Sequence, residues 1–328
     1  MDWVQILVDG SRAAIGVPAI AYALAVIGLN VHFGYTGLFN IGHVAFLAAG
    51  AYGAGITATE FDFPFPLAIL AGTVAAAGLG LLLGIPTLRL RAEYLAVVTI
   101  SAGEILRLVV RSSSFESVTG GPQGIGRWAT PFYDANPIPE GGYGIGRLEF
   151  SERQLWVMLV GWILVALAVL VTFLLIRSPW GRALRSIRED EDAARSLGKN
   201  VFAFKLQSLV LGGVIGSLAG LVLAVDANFT DPTLYQTVFT FFMYTALILG
   251  GTARILGPVI GAMAFWFTMQ ALDSFLRQAI TPGAFAGDVI DQTDLGPLRL
   301  ALVGLALVLL VVFRPQGILG GGSDGGMR

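Results

Sequence analysis

A chain of 328 residues that is 55% hydrophobic and only 13% charged, with a mean hydropathy of +0.75, carries more apolar matter than a water-soluble domain, which runs roughly 45–50% apolar and about 25% charged. A net charge of −2 with only two lysines leaves no basic surface for nucleic acid. Zero cysteines exclude a disulfide framework, a Cys-based zinc or iron–sulfur site and thiol redox chemistry.

The apolar excess is arranged in uncharged blocks of about twenty residues, the length at which a helix rising about 1.5 Å per residue crosses a hydrocarbon core of roughly 30 Å. In chain order the blocks are Ala13 to Phe33, Leu38 to Thr59, Phe63 to Leu88, Ala92 to Val110, Leu155 to Ile176, Leu206 to Val225, Leu234 to Ala253, Ile255 to Leu272 and Leu298 to Phe313. An all-α polytopic membrane protein of about nine spans is predicted, with eight to ten compatible with the pattern. Asp2 and Asp9 stand where a cleavable signal carries basic residues, so the N-terminus is expected to stay attached. Residues 1–315 form a single transmembrane domain, and the glycine-rich tail 316–328 is expected to be flexible.

Assigning alternate loops to alternate sides segregates the charges. One side, holding Arg89 and Arg91, the stretch Arg177 to Lys205, Arg254 and the tail from Arg314, has about twelve basic residues against six acids. The other has about six against fifteen. The positive-inside rule makes the first side cytoplasmic, with the N-terminus outside and the C-terminus inside. Two loops are too long to be mere connectors. The external one, 111–154, is rich in Gly and Pro and favours turns over regular helix.

The cytoplasmic loop, 177–205, opens with Ser178-Pro179, an N-cap followed by proline at the first helical position. The acids Glu189-Asp190-Glu191-Asp192 then precede Ala193-Ala194, Arg195, Leu197 and Gly198, the order of a short helix with acids at its start, cations at its end and Gly at C′. Its alanines form a knob for a partner's groove, or the loop is a solvated connector; periodicity leaves both open.

Inside the spans, Glu104 and Arg107 are the only acid–base pair, three residues apart on one helix face. They belong to a translocation route, or they form a structural ion pair. Asn40 and His43, beside Gly42, sit three apart at the start of the second span, where one helix face presents both to a pore or packs them away. His32 is the only other histidine, so a metal site lacks ligands. Gly212, Gly216 and Gly220 carry the small-residue spacing of close helix packing. Gly120, Gly121 and Pro122 in the external loop are a candidate gate or turn. Gly34 to Phe46 and Gly250 to Ala262 share glycine-punctuated turns. The one Gly-Lys pair, Gly198-Lys199, lacks the remainder of a nucleotide-binding loop, and no catalytic constellation is present.

The segment Asp192-Ala193-Ala194-Arg195-Ser196-Leu197-Gly198 resembles the EAA-x-x-x-G coupling motif of ABC-importer permeases, with Asp for the leading Glu. Gly34 to Phe46, Leu88 to Ala96, Gly103-Glu104-Ile105, Thr119 to Ile125 and Gly181 through Glu191 resemble LivM-type branched-chain amino-acid permeases, across most of the chain. That resemblance implies a plasma-membrane importer subunit in a prokaryote. It pairs with a second, LivH-type permease, two cytoplasmic ATPases that bind ATP and Mg, and an external binding protein, while this chain holds no cofactor. Coupling would run through Glu191, Asp192, Ala193, Ala194, Leu197 and Gly198, and solute would pass Asn40, Gly42, His43, Glu104 and Arg107. The implied cargo is leucine, isoleucine and valine; urea, short amides or another small polar solute are alternatives within the class. An ion-coupled secondary transporter working without ATPases is the alternative of another class.

Overall fold

The computed structural model describes residues 2–88 and 92–279, and after them only positions 296–298, 301–302, 304–305, 308 and 317–319. The helix α1, Trp3–Ile15, starts at Asp2, whose carboxylate accepts from the Gln5 amide at 3.1 Å. Gly16, with extended backbone, ends it, and Pro18 in the first turn starts α2, Val17–Leu29. The expected first span from Ala13 is therefore two helices broken at Gly16. Apolar on all sides, α2 is buried on all sides, as a central helix must be.

The chain then passes through a π-helical turn, Asn30–Tyr35, and through irregular backbone before α3, Val44–Glu60. This corrects the predicted second span: residues 38–43 are not helical, so Asn40 and His43 do not share a helix face. Next come α4, Phe65–Thr87, and α5, Ala92–Arg111. Arg89 and Arg91 lie outside the described residues.

The segment after α5 is more regular than its glycines and prolines suggest. It contains two 3₁₀ turns, Ser113–Phe115 and Gly121–Gln123, and the short helices α6, Glu116–Thr119, and α7, Thr130–Asp134. It also contains strands, a departure from the all-α expectation. The strand β1, Ile125–Gly126, is followed by a hairpin of β2, Gly142–Ile145, and β3, Leu148–Ser151, turning at Gly146 with φ +64°. Ser151 and Gln154 form a capping box that starts α8, Glu152–Arg177.

At the opposite end of α8 follow α9, Pro179–Glu189, and α10, Glu191–Ser196, then α11, Val201–Ala227. The strand β4, Phe229–Thr230, pairs antiparallel with β1, and α12, Thr237–Gly250, and α13, Gly257–Ala279, complete the described bundle. The ninth predicted span, Leu298 to Phe313, lies outside the described residues but for isolated positions, and the tail 316–328 but for 317–319.

Five described helical segments are long and apolar enough to cross a membrane: Val17–Tyr35, Phe65–Thr87, Glu152–Arg177, Val201–Ala227 and Gly257–Ala279. The helices α4 and α8 expose Leu70, Val74 and Leu82, and Ile163, Leu167 and Leu174, a surface suited to lipid rather than water. The core lies where α2, α3 and α11 meet. A Cβ on Gly28 would stand 2.2 Å from the Gly212 carbonyl oxygen, and one on Gly220 would stand 2.0 Å from that of Leu47. The small-residue face of α11 thus serves packing within this chain, letting backbones approach more closely than any side chain permits.

Candidate functional site

The break between α2 and α3 gathers the polar residues of the bundle. His32 donates from Nε2 to the Leu209 carbonyl at 3.0 Å, and the Asn40 amide donates to its Nδ1 at 3.2 Å. This network fixes the Nε2–H tautomer. His43 donates from Nε2 to the Ala25 carbonyl at 2.9 Å, and the two imidazoles meet edge to face with centroids 5.2 Å apart. All three side chains are buried. Gly212 and Gly216 provide the room: a Cβ on the first would stand 2.3 Å from His32 Nε2, and on the second 2.7 Å from His43 Nε2.

Neighbouring elements grip the same irregular segment. Tyr244 of α12 donates to the Asn40 carbonyl at 3.1 Å, and the Val44 amide donates to Thr240 at 3.2 Å. The Ile41 amide donates to Thr99 of α5 at 3.2 Å, and a Cβ on Gly42 would stand 1.9 Å from the Thr99 carbonyl oxygen. Asn40, Gly42 and His43 are thus buried packing and hydrogen-bonding residues among the described residues. Irregular backbone at membrane depth is tolerated where protein buries it and satisfies its groups, as in the broken helices of transporters.

Asn30 extends the junction to the second glycine-punctuated turn, donating to the Arg254 carbonyl and accepting from the Ala253 amide, both at 2.9 Å. Sequence alone did not single out Asn30, nor His32 as the partner of Asn40. A polar residue closing an otherwise apolar span is the signal that marks both.

The paired helices α9 and α10 form as the caps dictate. Ser178 accepts from the Trp180 amide at 3.2 Å, with Pro179 at the first helical position. Asp190 caps α10 by accepting from the Asp192 and Ala193 amides at 3.0 and 2.9 Å, and Gly198 follows with φ +78°. The alanine knob needs correction, because Ala194 faces inward, 2% exposed, in a cluster with Ile187 and Val201. Ala193 is exposed, and the outward apolar group is Leu197, at 80%. Glu191 binds Lys205 of α11 and, at 2.9 Å, Arg195; Asp192 also meets Arg195, at 2.7 Å.

The Glu104–Arg107 pair closes within α5, Arg107 donating from Nε at 3.0 Å and also from Nη2. Both partners lie on that one helix, three residues apart. Gly120 and Gly121, with φ +70° and +52°, and Pro122 make a tight turn; a Cβ on Gly120 would stand 1.9 Å from the Gly124 carbonyl oxygen. Gly124 leads into the β1–β4 pair, so the turn is tied to the segment before α12. Among the described residues no group of His, Asp and Glu is placed to hold a metal ion.

A bundle of apolar helices, interrupted at membrane depth by buried irregular backbone and carrying paired short helices at one end, defines a polytopic membrane transporter. Residues 12–312 match the family described as branched-chain amino acid transport system, permease component, and the chain belongs to that family. It is 30% identical over 325 residues to the high-affinity branched-chain amino acid transport permease LivM of Salmonella typhimurium, covering 95% of this chain and 71% of that one. It is 24% identical to the nucleoside ABC transporter permease NupC of Lactococcus lactis, covering 86% and 85%. Among solved structures, PsaBC from Streptococcus pneumoniae in complex with Fab aligns over 96% of this chain and 93% of that chain at 14% identity, with a TM-score of 0.43, a likeness too loose to define the fold. The chain is thus a multi-pass plasma-membrane permease of the ABC class rather than an enzyme.

Proposed function

We propose that the chain forms one half of the translocation path of an ATP-driven importer for branched-chain amino acids. A second related permease forms the other half, an external binding protein delivers the solute, and two cytoplasmic ATPases supply the work. The likeness to the Salmonella permease across 95% of the chain carries this reading. The nucleoside permease among the relatives makes nucleosides the competing cargo.

The charge distribution supports about nine spans, with the N-terminus and the hairpin end outside and α9 and α10 in the cytoplasm. There Leu197 and Ala193 are the groups offered to an ATPase, while Glu191, Asp192, Ala194 and Gly198 fix the shape and seat of α10. The buried junction of Asn40, Gly42 and His43 acts as the pivot through which α10 reaches the path. The partly buried Glu104–Arg107 pair, on the helix that grips that pivot, borders the path itself. The turn at Gly120, Gly121 and Pro122 sits at the outer end, where a binding protein opens the gate. ATP shifts the equilibrium between outward and inward states because the ATPases bind it differently in the two.

The test is uptake of labelled leucine into liposomes bearing the four components, with and without ATP and with adenosine or urea as competitor. ATP-dependent leucine uptake insensitive to both is expected. ATP-dependent uptake of adenosine alone would keep the class and overturn the cargo, and ATP-independent uptake would overturn the class.

A further inference from the structure

At the hairpin end, away from the buried junction, lies a cavity of about 380 Å³ bounded by α1, the start of α2, β3, the start of α8, the end of α11 and α13. Its size falls in the range of small-molecule sites, roughly 300–1,000 Å³. The lining combines opposite charges with apolar walls. Arg12 supplies the cation and Asp226 a carboxylate, and Val17, Pro18, Phe150 and Met158 supply the walls.

The two charges are held differently. Arg12 donates one N–H to the Glu149 carbonyl and lies with its guanidinium carbon 5.4 Å from the Phe150 ring centroid, which fixes the fork and leaves further N–H groups for a ligand. Asp9 also lines the cavity, but its oxygens already accept from Gln5 at 2.8 Å and Ser274 at 2.7 Å. The Asp226 carboxylate, in contrast, has no hydrogen bond or ion pair among the described residues and is exposed to the cavity.

A simple anion would meet two carboxylates here, and a simple cation would meet Arg12. A purely apolar molecule would leave Asp226 and the remaining Arg12 N–H groups unsatisfied. The ligand that matches carries a carboxylate for Arg12, an ammonium for Asp226 and an apolar body for the walls. We propose that this cavity is a binding site for a free α-amino acid with an apolar side chain, accessible from the hairpin side and separate from the pivot. The choice of an amino acid over other small zwitterions rests on the function proposed above. The geometry of the cavity does not.

The test uses the full chain with its partner permease in phosphatidylcholine nanodiscs, without binding protein or ATP, and measures equilibrium binding of tritiated leucine. Saturable binding is expected, displaced by unlabelled leucine but not by leucine amide, which lacks the anion, or 4-methylpentanoate, which lacks the ammonium. Asp226→Asn, a surface change of the same shape, should weaken binding at least tenfold, and Met158→Trp should fill the cavity and abolish it. Absence of saturable binding, or binding unchanged in Asp226→Asn, overturns the proposal. So does displacement of leucine when phosphatidylethanolamine replaces part of the lipid, because its headgroup offers the same ammonium-and-acid chemistry and would be the occupant. Parallel uptake by the complete importer separates the two readings: ATP-driven leucine uptake without binding removes the cavity alone, and binding without uptake removes the importer assignment alone.

Discussion

Arg188, on α9, donates a hydrogen bond from its guanidinium to the carbonyl of Gly34 in the π-helical turn that interrupts the first membrane-spanning segment. Its side chain also packs against Gly37, where a Cβ would stand 3.3 Å from Arg188 Cγ. One side chain thus ties the α9–α10 pair to the same broken segment that carries His32 and Asn30. Movement of α9 and α10 has a direct mechanical route into the buried junction. A hydrogen bond from a charged group contributes about 1.5–3 kcal/mol, enough to bias a two-state element by roughly ten- to a hundredfold. Arg188→Ala is therefore expected to lower leucine uptake per ATP hydrolysed at least tenfold in the reconstituted importer, with ATPase binding retained. Arg188→Lys, which keeps the charge and loses the planar fork, should recover only part. Unchanged coupling in Arg188→Ala would show that the route runs elsewhere.

Ala194 on α10 and Leu197, which caps its C-terminal end, differ in exposure, 2% against 80%, and substitutions at the two should separate folding from docking. Ala194→Leu forces a larger side chain into the contact with Ile187 and Val201 and should cost about 1–3 kcal/mol of stability. It would appear as a lower melting temperature of the isolated permease. Leu197→Asp should leave that temperature unchanged and reduce ATPase co-purification at least tenfold, because a desolvated contact centre does not tolerate a charge. A normal level of ATPase capture by Leu197→Asp would remove Leu197 from the interface.

Ser178, Pro179 and Gly198 were legible because each acts locally, whereas the sequence marked Asp190 only as one of four acids at the helix start and not as the cap itself. The pattern of apolar blocks likewise places most of the described helices. The junction was not legible, because Asn40 and His43 look helical by spacing. Their partners, His32 for Asn40 and the Ala25 carbonyl for His43, are fixed by tertiary packing. The break at Gly16 carried a signal in Pro18, masked by continuous hydrophobicity on both sides. The hairpin carried one too: Tyr143 and Ile145, then Leu148 and Phe150, alternate with period two, but too briefly to stand out among the surrounding glycines.

The glycine face of α11 gives a stability prediction with a built-in control. Gly212→Ala drives a methyl to within 2.3 Å of His32 Nε2 and 2.5 Å of the Gly28 carbonyl oxygen, both in rigid, buried surroundings. A loss of about 1–3 kcal/mol or more is expected, measured as loss of the monodisperse gel-filtration peak after heating in detergent. Gly78→Ala on α4, where no atom lies within 4 Å of the added carbon, should be neutral or slightly stabilising, since alanine is the better helix former by about 1 kcal/mol. Equal behaviour of the two variants would contradict the close approach of α2 and α11.

Asp2 joins the N-terminus to the hairpin through Arg147, at 2.6 Å. The hydrogen bond from that guanidinium, with smaller help from the Gln5 amide, holds the Asp2 carboxyl below its ordinary range. A depressed carboxylate pKa stabilises the clasp fully above the unfolded value, roughly 3.9, and that contribution is lost as pH falls through the lower folded value. The pair is exposed, so the effect is local: α1 and the hairpin should separate without loss of the fold. The absence of cysteine allows single labels, so spin labels at Val4→Cys and Ile145→Cys report the distance directly. A narrow distribution at neutral pH should broaden only as pH falls through the lowered Asp2 value, below the ordinary carboxylate range, and Arg147→Gln should give the broad distribution at every pH. A distribution that stays narrow in Arg147→Gln at neutral pH would show that hairpin packing against α1 and α8, rather than the ion pair, holds the two together.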